Sequence, residues 1–236
     1  MIQNIPLIKK EEVAEGTMAF HFAKPEGFTF RAGQFADYTL LNPSETDEEG
    51  NVRGFSFATA PFEKDIVIAT RMRDSAFKRV LKGLPIGSEV KLDGPYGDFA
   101  LHKTQTTPAV YLIGGIGITP VRSMIAQATH DKIDQKLTLL YANRTPQLAA
   151  FTEDFEKFAQ ENPNFTFVPV YSQAADGWDG ERGSITAEML KKYVPDLNQP
   201  NYYLSGPAKM VAAMRQLLVD AEVNEDNIRT EEFSGY

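Results

Sequence analysis

Residues 109–120 read Ala109-Val110-Tyr111-Leu112-Ile113-Gly114-Gly115-Ile116-Gly117-Ile118-Thr119-Pro120, an apolar run that ends in glycines and passes into a helix start. Ala109–Ile113 is apolar throughout, as a strand buried on both faces requires. Thr119 is expected to cap the following helix, with Pro120 at its first position and Val121, Met124, Ile125 and Ala128 as its buried stripe. The same rhythm continues to the end of the chain. Leu137–Tyr141 reads as a strand, then a helix with Leu148, Phe151, Phe155 and Phe158 inward, then a strand at Phe165–Val170. A strand at Tyr202–Ser205 precedes a helix opened by Pro207 with Met210, Met214, Leu217 and Ala221 inward, and Ile228–Phe233 is the last strand. Apolar strands alternating with helices imply a parallel sheet covered on both faces.

Upstream the pattern differs. Thr17–Phe22 alternates, with Met18, Phe20 and Phe22 apolar, and Ile66–Ala69 forms a second β-like run among Gly, Pro and acidic clusters. One helix interrupts this region, with Ser75 as N-cap and Ala76, Phe77, Val80, Leu81 and Leu84 on one face. The stretch from Asn42 to Asn51, with Asp47, Glu48 and Glu49, reads as a solvated acidic hairpin loop. A boundary therefore falls near residues 102–108, giving a β domain over 1–104 and an α/β domain over 105–236.

The 236 residues are 42% hydrophobic and 24% charged, an ordinary globular composition. The absence of cysteine excludes disulfides, cysteine-bound zinc and a resident iron–sulfur cluster. His21, His102 and His130 lack metal-ligand spacing, so no metal site is expected. A net charge of −8 argues against nucleic acid and against an anionic membrane surface. The N-terminal residues have no apolar core of a signal peptide, and the longest apolar run, Pro108 to Val121, is short and glycine-rich. A cytoplasmic protein without membrane insertion is expected.

Parallel sheets bind ligands beyond the carboxyl ends of their strands, at the switch point. Gly114, Gly115 and Gly117 lie at such an end, where backbone can approach a pyrophosphate and the helix beginning at Thr119 and Pro120 offers free N–H groups. Glycine makes equally tight turns in proteins without a ligand. Ser205-Gly206-Pro207 is a second small-residue opening, and two openings favour one long ligand lying across both. The second strand ends Tyr141-Ala142-Asn143-Arg144, without the acidic residue that binds a ribose 2′-hydroxyl. Arg144, with Arg182 as a second cation, suits a 2′-phosphate and hence NADPH over NADH, although a solvated loop cation fits Arg144 as well.

The segment Arg53-Gly54-Phe55-Ser56 resembles the flavin-binding Arg-x-Tyr/Phe-Ser signature of the ferredoxin–NADP(H) reductase superfamily. Further matches follow the family's order. Phe30-Arg31-Ala32-Gly33-Gln34-Phe35 looks like its Pro-Gly-Gln-Phe strand, and Gly94-Pro95-Tyr96-Gly97-Asp98-Phe99 like its Gly-Pro-x-Gly-x-Phe turn. The Gly114–Pro120 loop is similar to its Gly-Gly-x-Gly-x-Thr-Pro nucleotide loop; Ser205-Gly206-Pro207 falls on its Cys-Gly-Pro and Glu231-Glu232-Phe233 on its carboxylate-x-aromatic ending.

The resemblance implies an N-terminal antiparallel Greek-key flavin barrel followed by a five-stranded parallel nucleotide-binding domain, with flavin held between them. It implies roles by position. Arg53 neutralises flavin phosphate, Phe55 packs on the isoalloxazine, and Ser56 hydrogen-bonds near N5. Arg71 and the helix start Ser75-Ala76-Phe77-Lys78 hold the pyrophosphate, favouring FAD over FMN; many relatives have Ser or Thr where Lys78 stands, and a plain surface lysine is the other reading. Ser205 replaces the cysteine that borders the nicotinamide, and Glu231 keeps the carboxylate. Phe233 takes the place of the aromatic that stacks on flavin, and the tail through Tyr236 either covers the flavin or ends free. Ser56, Ser205 and Glu231 are thus the expected catalytic residues. The activity implied is hydride transfer from NADPH or NADH to flavin N5, with electrons passed to a separate acceptor such as ferredoxin or flavodoxin. An NAD(P)H-dependent reductase of free flavin or ferric complexes shares these features, and a non-catalytic nucleotide-binding subunit of a larger complex is the reading from another class.

Overall fold

A computed structural model describes residues 2–233, which divide into two compact units: 2–100 with 119–127, and 101–118 with 128–233. The first unit carries β1 (Ile2–Ala14), β2 (Thr17–Ala23), β3 (Phe35–Leu40), β4 (Val52–Ser56), β5 (Asp65–Arg71), α1 (Ala76–Gly83) and β6 (Glu89–Tyr96). Its strands form one antiparallel sheet in the order β4-β3-β6-β1-β2-β5. Beyond β4 the chain turns onto β5, where Ala58 N–H donates to the Val67 carbonyl (2.8 Å) and Val67 N–H to Thr59 Oγ1 (3.2 Å). These bonds join the two edges and curl the sheet into a barrel.

Inside the barrel, Phe20, Phe22, Tyr38, Phe57, Ile68 and Leu92 are buried together with Phe77 and Leu81 of α1. Phe30 and Phe57 approach to 4.4 Å between ring centroids, and Phe28 adds edge-on contact with Phe57 at 5.9 Å. Each such pair contributes about 0.5–1.5 kcal/mol beyond its buried area. Ser75 caps α1 as its position suggests: its backbone is extended and its Oγ accepts from Lys78 N–H (3.4 Å). Losing that cap costs about 1 kcal/mol.

Two of the motif segments owe their glycines to each other. A Cβ on Gly33 would stand 2.0 Å from the Phe99 carbonyl oxygen, and one on Gly97 would meet Phe35 at 3.0 Å. Gln34 ties the pair, accepting from Arg31 N–H (2.7 Å) and donating to the Gly97 carbonyl (3.1 Å).

The second unit carries β7 (Ala109–Gly114), β8 (Leu137–Asn143), α3 (Thr152–Glu161), β9 (Phe165–Tyr171), β10 (Glu181–Arg182), α4 (Ala187–Tyr193), β11 (Asn201–Pro207), α5 (Ala208–Asp220) and β12 (Ile228–Phe233). α2 (Ile118–His130) contributes its two ends to this unit and its middle segment to the first. The sheet is parallel, in the order β10-β9-β8-β7-β11-β12. α4 and α5 cover one face, where Met189, Leu190, Val211, Met214 and Leu218 pack with Val110, Leu112, Leu140 and Leu204. On the opposite face α3 sends Phe155 against Tyr141, Phe165 and Phe167, with centroids 5.4–6.3 Å apart.

The sheet has six strands where five were expected, because β10, two residues long, adds to β9 and is too short to show periodicity. α2 begins at Ile118, continuing a 3-10 turn over Gly115–Gly117, so Thr119 and Pro120 lie inside its first turn and Thr119 is not its cap. α3 begins only at Thr152; Phe151 stands before it with φ of 62° and Leu148 belongs to a 3-10 turn, which leaves Phe155 and Phe158 on the helix. On α5 the fully buried positions are Val211, Met214 and Leu218, while Met210, Leu217 and Ala221 pack at the margin. Among the described residues no helix is long and apolar enough to cross a membrane, and no cluster of three or more histidines and carboxylates offers a metal site.

Candidate functional site

Strand order in the second unit reverses between β7 and β11, which is the switch point of a parallel sheet. Both glycine openings end there. A Cβ on Gly117 would lie 2.6 Å from Ser205 C and from Gly206 N, and one on Gly114 would collide with Met210. Gly206 itself has φ of 146° and would press a side chain onto Gly114. Much of the glycine in these loops therefore serves the close approach of one loop to the other, which gathers Gly114–Gly117 and Ser205–Pro207 into one edge. Gly115 adopts φ of 51°, and its carbonyl accepts from Tyr141 Oη at 3.1 Å.

Strand register places three polar side chains on one face at this edge. Ser205 pairs across to Ile113 and Glu231, and Ile113 to Tyr141, two residues before Asn143. Side chains two apart share a face. Ser205 is fully buried with Oγ unpartnered, both amide atoms of Asn143 are buried and unpartnered, and so is Glu231 Oε2. Burial pushes the Glu231 carboxyl up to about 7. Orphan polar atoms of this kind cost about 1–3 kcal/mol each, so their concentration at one edge asks for a ligand. A nicotinamide, with its amide donor and acceptor, fits that donor and acceptor set.

The cations at the far side of this edge part company. Arg144 is exposed; its carbonyl accepts from Gln173 N–H at 2.8 Å, and its side chain makes no hydrogen bond or ion pair among the described residues. Arg182 instead donates to the carbonyls of Ala174, Ala175 and Trp178 at 3.2, 3.1 and 2.6 Å, and so acts as a brace for its own loop.

In the first unit, β4 carries Arg53 and Phe55 on one face and Gly54 and Ser56 on the other. The Phe55 ring lies 5.8 Å from both Tyr38 and Phe77, and the Arg53 guanidinium sits 5.3 Å over Phe77. Ser56 is buried. The N-terminus of α1, Ala76-Phe77-Lys78, lies in reach of the same arginine: Asp47 accepts from Ala76 N–H at 3.0 Å and from Arg53 at 3.3 Å. Burial opposes the Asp47 charge, but the Ala76 N–H and Arg53 outweigh it and hold the carboxyl below its ordinary value. Lys78 is shifted downward, first by burial and then by Arg73 and Arg53. A helix start ringed by Arg53, Arg73 and Lys78 fits a phosphate group. Arg71 ends β5 and makes no hydrogen bond or ion pair through its side chain among the described residues. Phe233 ends β12, and Tyr236 lies outside the described residues.

The acidic loop is solvated as expected, with Glu45, Glu48 and Glu49 exposed, but its carboxylates also engage arginines. Glu49 pairs with Arg53 at 2.8 Å and Glu45 grips Arg79 through two bonds of 2.9 and 2.6 Å. The available signal was the run of carboxylates at 45, 47 and 49 just ahead of Arg53.

Residues 112–216 match the model of a family described as the oxidoreductase NAD-binding domain. Superposition with a ferredoxin–NADP+ reductase from Neisseria gonorrhoeae, solved with FAD and NADP, gives a TM-score of 0.81 at 20% identity over 98% of each chain. The chain shares the fold of that reductase. A cytochrome P450 reductase from Amycolatopsis is similar with a TM-score of 0.83 at 23% identity, over 98% of this chain and 70% of that one. In sequence the chain is 32% identical to a subunit of the Na(+)-translocating NADH-quinone reductase of Idiomarina loihiensis, over 81% of this chain and 51% of the relative. The same subunit of the Serratia proteamaculans reductase is 31% identical over 86% and 54%. The chain thus spans about half the length of these relatives.

Proposed function

We propose that this chain is a flavoprotein reductase, with a flavin domain over 1–104 and a nucleotide domain over 105–236, that takes a hydride from NAD(P)H and passes electrons to a separate acceptor. The observation that carries the reading is the set of unpartnered polar side-chain atoms of Asn143, Ser205 and Glu231, on one sheet face at the switch point. When bound, FAD supplies a two-electron acceptor that releases electrons singly or in pairs. The residues do the rest. Arg53, Arg71, Lys78 and the first-turn N–H groups of α1 hold the flavin phosphates, and Phe55 packs on the ring system. Ser56 offers a hydroxyl that donates or accepts at the reacting nitrogen. Gly115, Gly117 and the start of α2 at Thr119 and Pro120 take the nucleotide pyrophosphate, with Gly206 and Pro207 at the second opening. Ser205 and Asn143 orient the nicotinamide amide, and Glu231 holds or releases a proton near neutral pH.

The relatives' name points to NADH as donor, to a quinone as acceptor and to a place among other subunits. Ferredoxin or flavodoxin would serve as a protein acceptor instead. Arg144 is the one expected cation left for a 2′-phosphate, so discrimination between NADPH and NADH should be small.

An anaerobic stopped-flow trace at the flavin absorbance, with NADH and NADPH mixed separately, tests this. Rapid bleaching is expected with at least one donor. A flavin-loaded protein that neither donor bleaches would end the reductase reading. The free-flavin reductase reading is favoured by one observation, the Asp47 carboxylate lodged against Arg53 and Ala76. It predicts a protein that loses its colour on gel filtration yet turns over added flavin.

A further inference from the structure

We propose that Asp47 is an internal competitor of the flavin phosphate, and that it sets how strongly phosphorylated flavins are held relative to riboflavin. The inference rests on the flavin-phosphate site proposed above. Two donors of that site are already engaged by one side chain: Asp47 Oδ1 accepts from Arg53 at 3.3 Å and Oδ2 from Ala76 N–H at 3.0 Å. A carboxylate and a phosphate are both anionic acceptors, so the two cannot share these donors at full strength. Glu49 adds a second carboxylate on Arg53 at 2.8 Å. The other fork of the same guanidinium is spent on the carbonyls of Glu49, Gly50 and Val52 at 2.8, 3.1 and 2.7 Å.

The loop is built to hold this pose. Glu49 N–H donates to Asp47 Oδ1 (3.2 Å), and Gly50 N–H to the Asp47 carbonyl (2.9 Å), with Gly50 at φ of 73°. A phosphate that arrives at Arg53 and α1 must therefore displace Asp47 and open the turn behind it. Riboflavin brings no anion and leaves the pair intact. The competition thus falls on FMN and FAD alone, and it weakens them without touching recognition of the ring. Glu48 lies between the two engaged carboxylates and makes no hydrogen bond or ion pair among the described residues, which makes it the matched control.

The test is a fluorescence titration of flavin-free protein with FAD, FMN and riboflavin. Asp47→Asn keeps a capping oxygen and removes the competing charge, so FAD and FMN should tighten about tenfold while riboflavin stays within about twofold. Asp47→Ser, a shorter neutral cap, should do the same, and Glu48→Gln should change none of the three. FAD and FMN bound no tighter by either folded Asp47 variant, or riboflavin tightening in parallel, would overturn the proposal. Loss of FAD and FMN affinity in both variants would overturn it too, by making Asp47 a support for the site. Failure of the wild type and all variants to bind any of the three flavins would instead remove the flavin reading on which the proposal stands.

Discussion

The two candidate sites handle polarity in opposite ways. At the edge of the parallel sheet, Asn143, Ser205 and Glu231 carry buried polar atoms without partners among the described residues, and burial alone raises the Glu231 carboxyl. At the barrel, Arg53 and the first N–H of α1 are engaged by the chain's own Asp47 and Glu49. An unsatisfied site costs folding stability but meets its ligand ready-made. A self-satisfied site costs none, but its ligand must compete for entry. The first arrangement suits a substrate that comes and goes with each turnover; the second makes affinity depend on which anion wins.

The largest effect expected is at the sheet edge, because there the geometry is fixed by backbone. Gly117→Ala would put a methyl 2.6 Å from Ser205 C and Gly206 N, atoms that cannot swing aside as a side chain can. Overpacking of this kind costs about 3 kcal/mol at the upper end of its usual range. Denaturant melts should show a destabilised protein, and calorimetry should show NADH and NADPH binding lost. A variant with wild-type stability and nucleotide affinity would mean that the two openings need not meet.

The barrel should answer more mildly to loss of its arginine. Arg53→Ala removes a charge-assisted contact worth about 1.5–3 kcal/mol, so FAD and FMN should weaken about 10- to 100-fold. Riboflavin, which carries no phosphate, should change little. Equal losses for all three flavins would assign Arg53 to the ring or to the fold.

How far these features were legible in the sequence follows the same division. The parallel sheet was readable because its strands are apolar throughout, and the strand-end motifs were readable because their residues are consecutive. What the glycines do was not readable: Gly33 meets Phe99 and Gly117 meets Ser205 and Gly206, contacts made by distant segments. The Asp47 to Ala76 bond spans 29 positions and has no periodic trace. β1 is hidden because Lys9-Lys10-Glu11-Glu12 looks like a solvated stretch, although it pairs with β2. α4 went unseen although Thr186 caps it by accepting from Met189 N–H at 3.1 Å, a local signal that was available.

Glu231 separates the two regions by pH. Its carboxyl is raised by burial from 4.5 to about 7, so the folded chain keeps a proton that the unfolded chain has released. The stability this lends is complete below about pH 4.5 and is lost as pH rises through about 7, a change of order 2–3 kcal/mol. Glu231→Gln should flatten that profile: equal to wild type near pH 4 and more stable by about 2 kcal/mol above pH 8. Asp47, held below its ordinary value, has the opposite sign, with its contribution present at neutral pH and lost in acid. Melting curves for the two single variants should therefore meet wild type in acid and depart from it in opposite directions at neutral pH and above, upward for Glu231→Gln and downward for a neutral residue at Asp47. Parallel curves would mean that Glu231 is solvated or paired in solution.

The smallest effect belongs to Arg144. Exposed cations hold their partners weakly because water screens them, with pairs contributing about 0.2–1 kcal/mol. Arg182 does not add to it, since its guanidinium is spent on Ala174, Ala175 and Trp178. Arg144→Ala should accordingly lower kcat/KM with NADPH less than about tenfold and leave NADH unchanged. Arg182→Ala should act differently, lowering stability through its loop and affecting both donors alike. A large NADPH-specific loss in Arg182→Ala would mean that the brace opens to receive a 2′-phosphate, and the sheet edge would then resemble the barrel in holding its charge in reserve.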